Sequence, residues 1–162
     1  MSNNKSPYNS KYKQGIYIPQ NKEKYFGTEI KFRSSLEYAF CVFLDLNERI
    51  LKWSSENPII IYQTLDSQTH RYYPDFYYEM MTDNDPNKLK RVVVEIKPKS
   101  ELYPPVKPLN ETFKSLSNYE YSVKMHVKNK LKWNAAEEYC KSRGMEFVII
   151  TDEILKNRGI IK

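Results

Sequence analysis

The spacing of apolar residues divides this chain into segments with helical or strand character. Between residues 33 and 50, apolar side chains recur close to helical spacing, at Leu36, Ala39, Phe40, Phe43, Leu44 and Leu46. Ser34 lies just before this stripe, where an N-cap residue belongs. The pattern therefore predicts a first amphipathic helix, with which the folded domain begins.

Three segments rich in β-branched and aromatic residues follow and predict three strands. They run from Pro58 to Leu65, from His70 to Met80 and from Lys90 to Pro98. The stretch "TDNDPN" between the last two has turn-forming residues, so these two strands can form an antiparallel hairpin.

One register of this hairpin pairs Asp75 with Glu95 and centres the turn on Asp85. Its further pairs are Tyr73 with Lys97, Tyr77 with Val93, and Glu79 with Arg91. Because strand side chains alternate between faces, Asp75, Glu95 and Lys97 then share one face. The opposite face is apolar and consists of Val92, Val94 and Ile96.

The second half of the chain predicts two helices, a strand and a last short helix. The proline-rich stretch 98–108 is expected to be extended, and a helix is expected within residues 110–123. A clearer helix follows Asn129 as its cap and stops at Gly144, before a strand over 145–151 and a helix from Asp152. The order predicts an α/β fold with a mixed sheet flanked by helices.

The length of 162 residues fits one domain, to which we assign residues 32–162. Residues 1–31 lack a sustained periodicity and are expected to form a basic arm on or beside it. Lys and Arg exceed Asp and Glu, 26 against 20, with lysine clusters in residues 1–31 and 124–132. Such clusters attract nucleic acid, but they are equally typical of a solvated surface.

Several other classes of protein are disfavoured by the sequence. It has neither an apolar run long enough to span a membrane nor a signal peptide, so a soluble intracellular protein is expected. Cys41 and Cys140 have no zinc-ligand spacing and are interpreted as buried thiols. His126 has no visible catalytic partner, which leaves nucleophilic triads without support.

Asp75, Glu95 and Lys97 form the one set with a clear candidate chemistry. Mg²⁺ prefers oxygen ligands, which the two carboxylates and the carbonyl of Ile96 can supply, and Lys97 would then lie near a scissile phosphate. Pro74 removes a ladder donor, so Asp75 is expected at an irregular or edge position. The alternative is an ordinary exposed strand face, the more common outcome for each residue taken singly.

Glu37 has two open interpretations. It stands three residues after Ser34, the spacing of a capping box, and local reasoning favours this structural role. It also lies on an otherwise apolar helix, so it can instead project toward the acidic face.

The ordered set Glu37, Pro74-Asp75 and Glu95-Ile96-Lys97 resembles the PD-(D/E)XK nuclease superfamily. "FRSSLEYAF", Trp53 with Glu56, "RYYPDFYYE" and "EIKPK" look like TnsA-type endonucleases, although Gln often stands there in place of Glu95. "KFRSSLE", "VEIKPKSELYPPVKP" and "KWNAAEEYCKSRGMEF" resemble the head completion nucleases of large contractile-tailed phages. This similarity extends from about Tyr17 to Asp152.

The resemblance implies a restriction-endonuclease-like αβββαβ core and a Mg²⁺-dependent DNA endonuclease that finishes filled phage heads, with Mn²⁺ as a substitute ion. It implies Glu37, Asp75, Glu95 and Lys97 as catalytic residues, with Asp75, Glu95, Ile96 and Glu37 as metal ligands. The expected DNA contacts are Lys11, Lys13, Lys22, Lys24, Arg33, Arg71, Lys99, Lys128 and Lys130.

The expected partners are double-stranded or branched DNA, head or neck proteins and a second copy of the chain. The implied locations are the host cytoplasm during assembly and the virion head or neck. One alternative is a non-catalytic head or neck protein that binds DNA or portal-region proteins. Another is an RNA-binding module in which the 14 tyrosines serve as stacking platforms.

Overall fold

The computed structural model describes residues 14–82 and 88–162. These residues form eight strands, three α-helices and two 3-10 helices, the latter at Lys22–Lys24 and Lys99–Leu102. The strands are β1 (Gly15–Tyr17), β2 (Ile30–Phe32), β3 (Ile50–Ser55), β4 (Ile60–Gln63), β5 (Thr69–Tyr72), β6 (Phe76–Met81), β7 (Leu89–Lys97) and β8 (Glu146–Thr151). The helices are α1 (Ser35–Leu46), α2 (Phe113–Lys141) and α3 (Asp152–Asn157).

The central sheet has four strands in the order β3-β6-β7-β8. β3 and β7 each pair antiparallel with β6, whereas β8 runs parallel to β7 and is reached through the long helix α2. The predicted α/β class with a mixed sheet is therefore confirmed. In chain order, α1, β3, β6, β7, α2 and β8 give the expected αβββαβ core.

The main core lies between α1 and one face of this sheet. Phe40 and Leu44, spaced four residues apart on α1, are fully buried there with Trp53 of β3. Val92 and Val94 of β7 face the same cluster and are at most 1% exposed. The apolar run of β7 is thus the centre of the domain, and it holds the end of that strand in a fixed position.

The predicted hairpin register is confirmed over β6 and β7. Tyr77 lies opposite Val93, and Glu79 lies opposite Arg91. The turn centred on Asp85 falls outside the described residues. The paired region begins at Phe76 opposite Val94, so the expected pairs of Asp75 with Glu95 and of Tyr73 with Lys97 lie outside the ladder.

The strands before β6 differ from the prediction in three ways. β3 was not predicted, because the segment with helical spacing was taken to end at residue 50 and no element was assigned to residues 51–57. The segment from Pro58 to Leu65 is a strand only as β4, which pairs with β5 in a separate two-stranded sheet. The expected strand from His70 to Met80 is divided at Pro74, which is buried and lacks the N–H that a continuous ladder needs.

The two helices expected in the second half are one helix, α2, of 29 residues. Asn129 is not a cap but a buried residue inside it, and Thr112 caps the helix by accepting from the amide of Ser115 at 3.2 Å. Residues 124–128 contain no Gly or Pro, so nothing interrupts the backbone ladder there. Gly144, with a φ of 61°, provides the expected stop.

The described part of the predicted arm packs on the domain. β1 and β2 pair antiparallel, and Tyr17 and Ile30 contribute to the main core. The Tyr17 hydroxyl and the Gln20 amide each donate to Asp45 at 2.7 Å. The division at residue 31 stays a prediction. Across the described ranges, no helix has the length and apolarity needed to cross a membrane.

Candidate active site

Asp75 and Glu95 meet where β6 begins and β7 ends. Asp75 immediately follows buried Pro74 and precedes the first residue of β6. Its side chain turns toward β7, where the amide of Ile96 donates to Oδ2 at 2.7 Å. Its carbonyl accepts from the amide of Glu56 at 3.1 Å, which ties the break in the strand to the end of β3. The irregular position expected beside Pro74 is thus present.

Glu95 is a buried carboxylate with both oxygens occupied. It is 5% exposed, and its Oε2 accepts from the hydroxyl of Tyr72 at 2.6 Å. Its Oε1 lies 3.2 Å from Nζ of Lys97, as expected for residues on the same strand face. A charge buried to this degree needs such partners, because removing it from water is unfavourable.

The electrostatics of the pair show an excess of negative charge. Burial, and then the charge of Glu95, raise the pKa of Asp75 from its ordinary value of 3.8 to about 8. The Ile96 amide and the Lys97 ammonium oppose this change, and the charge of Glu37 adds to it. Burial alone would lower the pKa of Lys97, but Glu95 and Asp75 outweigh burial and raise it, so Lys97 stays protonated.

Glu37 forms a capping box with Ser34 in which its carboxylate binds the amide of the residue before the cap instead of the Ser34 amide. Its amide donates to Oγ of Ser34 at 3.1 Å, and its carboxylate accepts from that hydroxyl at 3.0 Å and from the amide of Arg33 at 2.8 Å. Within residues 14–82 and 88–162, no group of three or more His, Cys, Asp or Glu side chains is arranged to hold a metal ion. The acidic centre is therefore a pair, and Glu37 as a ligand stays a prediction.

The structure places the predicted DNA-contacting residues in several regions. Lys11 and Lys13 lie outside the described residues. Lys22 is exposed, but Nζ of Lys24 donates to the carbonyls of Asp45 and Asn47 at 3.2 and 3.1 Å, which occupies its ammonium group. Lys24 therefore supports the α1 end in addition to any contact with DNA.

Two further predicted contacts are engaged in ion pairs. Arg33 lies 2.5 Å from Glu56. The hydrogen bond to Glu56 is the largest cause of the raised pKa of Arg33, and the charges of Glu37 and Asp75 add to it. Lys99 lies 2.7 Å from Glu153 of α3. Both pairs are exposed, so their cations can exchange partners with a phosphate at small cost.

The remaining predicted contacts are exposed. Arg71 lies on β5, and Lys128 and Lys130 lie on α2, where Nζ of Lys130 is 5.4 Å from the ring centre of Trp133. Exposed cations thus lie on β5 and on α2.

Lys132 and Tyr72 belong to the site. Lys132 was expected only as one lysine of the basic cluster 124–132, and Tyr72 was not predicted. Nζ of Lys132 lies 5.3 Å from the centre of the Tyr72 ring, whose hydroxyl donates to Glu95. Burial lowers the pKa of Lys132, while the charge of Glu95 opposes that change. A usable signal for Lys132 was its place beside Trp133 on the apolar side of the predicted helix. Nothing in the sequence distinguished Tyr72 from Tyr73.

Comparison with known proteins agrees with this architecture. The family model described as "TnsA-like endonuclease N terminal" matches residues 47–152, from three residues before β3 to the first residue of α3. The chain belongs to this endonuclease family, as its sequence predicts, and the mixed sheet with flanking helices is its restriction-endonuclease-like fold. One relative is the head completion nuclease of Enterobacteria phage T4, which is 33% identical over 148 residues, covering 90% of this chain and 95% of the relative.

Proposed function

We propose that this protein is a Mg²⁺-dependent endonuclease that hydrolyses DNA phosphodiester bonds during completion of a phage head. The observation that carries the proposal is the junction of β6 and β7, where Asp75 and Glu95 meet beside Lys97. The similarity to the phage T4 head completion nuclease, which covers nearly all of both chains, supports the place of action.

The donor set suits a hard divalent cation. Asp75 and Glu95 offer carboxylate oxygens. Burial and then the charge of Glu95 raise the pKa of Asp75, and a bound cation would oppose both effects by favouring the ionised carboxylate. The carbonyl of Ile96 is the third proposed ligand, and Glu37 a fourth if its carboxylate leaves the capping box. When bound, Mg²⁺ or Mn²⁺ would offset phosphate charge and make the attacking water more acidic.

The protein's own groups position the phosphate and the water. Lys97 stays protonated, so we assign it the orientation of the water or the stabilisation of charge that develops on the phosphate. Lys132 adds a second ammonium group from α2 on the same side. Tyr72 holds Glu95 in one orientation through its hydroxyl.

We propose that the remaining cations contact the DNA backbone. They are Lys11, Lys13, Lys22, Lys24, Arg33, Arg71, Lys99, Lys128 and Lys130. Contacts of this kind neutralise phosphates without reading bases, so binding should weaken as salt rises. Cutting both strands of a duplex with one site per chain would require two copies. Action in the host cytoplasm and at the head or neck, beside head or neck proteins, belongs to the same proposal.

The test is cleavage of linear and branched duplex DNA by the purified protein, with Mg²⁺ and with EDTA. Asp75→Asn and Lys97→Met should abolish metal-dependent cutting, whereas Asp66→Asn, at an exposed turn between β4 and β5, should not. Cutting that persists in EDTA or in Asp75→Asn would refute the assignment. A folded wild-type protein that cuts no DNA would favour the non-catalytic head or neck role instead.

A further inference from the structure

A cleft of about 510 Å³ lies beside the acidic pair, between the end of β7 with its 3-10 helix and the middle of α2. Lys97 and Lys132 both line it. The same two lysines adjoin Glu95, one through its 3.2 Å ion pair and the other across the ring of Tyr72. The volume is within the ~300–1,000 Å³ of small-ligand sites, so this cleft is large enough to hold part of a substrate.

Two tyrosines line the cleft from its two sides. Tyr103 follows the 3-10 helix and is 59% exposed, and Tyr121 lies on α2 and is 66% exposed. Aromatic rings left open to solvent are not used by the protein core. Beside phosphate-binding lysines, such rings are suited to stacking on nucleic-acid bases.

The cleft also contains polar groups without an evident structural role. Nδ1 of His126 is buried and has no hydrogen-bond partner among the described residues. Asn129 is 9% exposed and brings an amide that both donates and accepts. A buried polar atom without a partner is unfavourable, which is explained if a ligand supplies the missing hydrogen bond.

The features of this cleft match the parts of one nucleotide. The ammonium groups of Lys97 and Lys132 suit its phosphate, and the two tyrosine rings suit stacking on its base. The polar groups of His126 and Asn129 can form hydrogen bonds with that base. Glu101 also lines the cleft, and its carboxylate disfavours a polyphosphate, so a single phosphodiester suits the site better. A base stacked and paired inside a duplex cannot enter such a cleft. We propose that the cleft binds one unpaired nucleotide beside the cut bond, so that the enzyme prefers DNA ends, flaps and branches to continuous duplex.

This inference rests on the proposed nuclease function, and a rate comparison tests it. The substrates are one duplex sequence, either continuous with hairpin-closed ends or with a short single-stranded flap. Wild-type protein should cut the flap substrate at least about tenfold faster. Tyr121→Leu and Tyr103→Leu should each reduce that ratio about tenfold, since stacking on one aromatic ring contributes an effect of that order. Phe113→Leu, an exposed aromatic on α2 that does not line the cleft, is the matched control and should not change it.

A binding measurement separates this inference from the nuclease proposal. Asp75→Asn protein in EDTA is mixed with single-stranded oligonucleotides that carry 2-aminopurine at one position each. Quenching confined to one or two positions, and lost in the Asp75→Asn/Tyr121→Leu protein but not in Asp75→Asn/Phe113→Leu, supports the cleft even if no cleavage is found.

Two outcomes overturn the inference. One is that active wild-type protein cuts both substrates at equal rates, or that the tyrosine variants leave the rate ratio unchanged. Either result would refute nucleotide binding by the cleft and leave the nuclease proposal intact. The other is uniform or absent quenching along the oligonucleotides. Absence of cleavage with position-specific quenching would instead overturn the nuclease and keep a nucleotide-binding cleft.

Discussion

Asp75→Asn should stabilise the protein when no divalent cation is present. Asparagine cannot carry the negative charge that burial and Glu95 oppose, yet its oxygen can still accept from the Ile96 amide. Folding raises the pKa of Asp75 from 3.8 to about 8. At 1.36 kcal/mol per pKa unit, this shift destabilises the folded wild type by at most roughly 5 kcal/mol at neutral pH. Water entering the site would reduce this, so we expect about 2–4 kcal/mol.

The sign of the pH dependence follows from the raised pKa. The folded protein binds a proton at Asp75 that the unfolded chain has lost, so the wild type loses stability as pH rises from about 4 to 8. Near pH 4.5 the variant should be only a little more stable than the wild type. The difference in their free energies of unfolding should reach about 2–4 kcal/mol at pH 7.5. For a chain of this length, this corresponds to a melting temperature about 5–10 °C higher.

The assay is urea and thermal unfolding of both proteins in EDTA at the two pH values. Asp45→Asn is a control of opposite sign: burial alone would raise the pKa of Asp45, but donors from Gln20, Tyr17 and Asn21 lower it. The Asp45→Asn protein should be less stable than the wild type at pH 7.5, and the difference in the free energy of unfolding should shrink as pH falls. Added Mg²⁺ should stabilise the wild type and not Asp75→Asn. A stability difference for Asp75→Asn that is the same at both pH values would refute the reasoning.

Glu37→Gln should unfold in urea like the wild type, since glutamine can also accept hydrogen bonds at this capping position. The free energy of unfolding of Glu37→Ala should fall by about 1 kcal/mol. Loss of DNA cleavage in the glutamine variant would support a role of Glu37 in the reaction, and full activity would leave it a cap only. Tyr72→Phe removes the hydroxyl that donates to Glu95, so stability should fall by about 1–2 kcal/mol and half-maximal cleavage should need more Mg²⁺. An unchanged Mg²⁺ titration would contradict the positioning role. Lys132→Met should slow cleavage at least about tenfold without loss of stability, while Lys141→Met, exposed at the end of the same helix, should have little effect. Equal rates for the two variants would remove Lys132 from the site.

Local patterns were sufficient where one segment decided the structure. Ser34 and Glu37 are three residues apart on one turn, so the cap could be predicted without knowing the fold. The register of β6 and β7 followed from alternation and turn chemistry, which involve only neighbouring strands. Prediction from the sequence failed where packing between distant segments decides the secondary structure. β3 is a strand because Trp53 fills the main core, and residues 50–55 alone do not reveal that.

The sequence by itself determined that Glu95 and Lys97 share one face of β7 and that Asp75 comes to the same end of the hairpin, because alternation and register involve no more than two neighbouring strands. Only the tertiary structure decided what surrounds them. Tyr72 reaches Glu95 because the chain leaves one sheet and enters another at Pro74, and Lys132 reaches the same site because α2 crosses beside it. Such contacts join residues 23 and 60 positions apart in sequence, and their geometry depends on how whole elements pack.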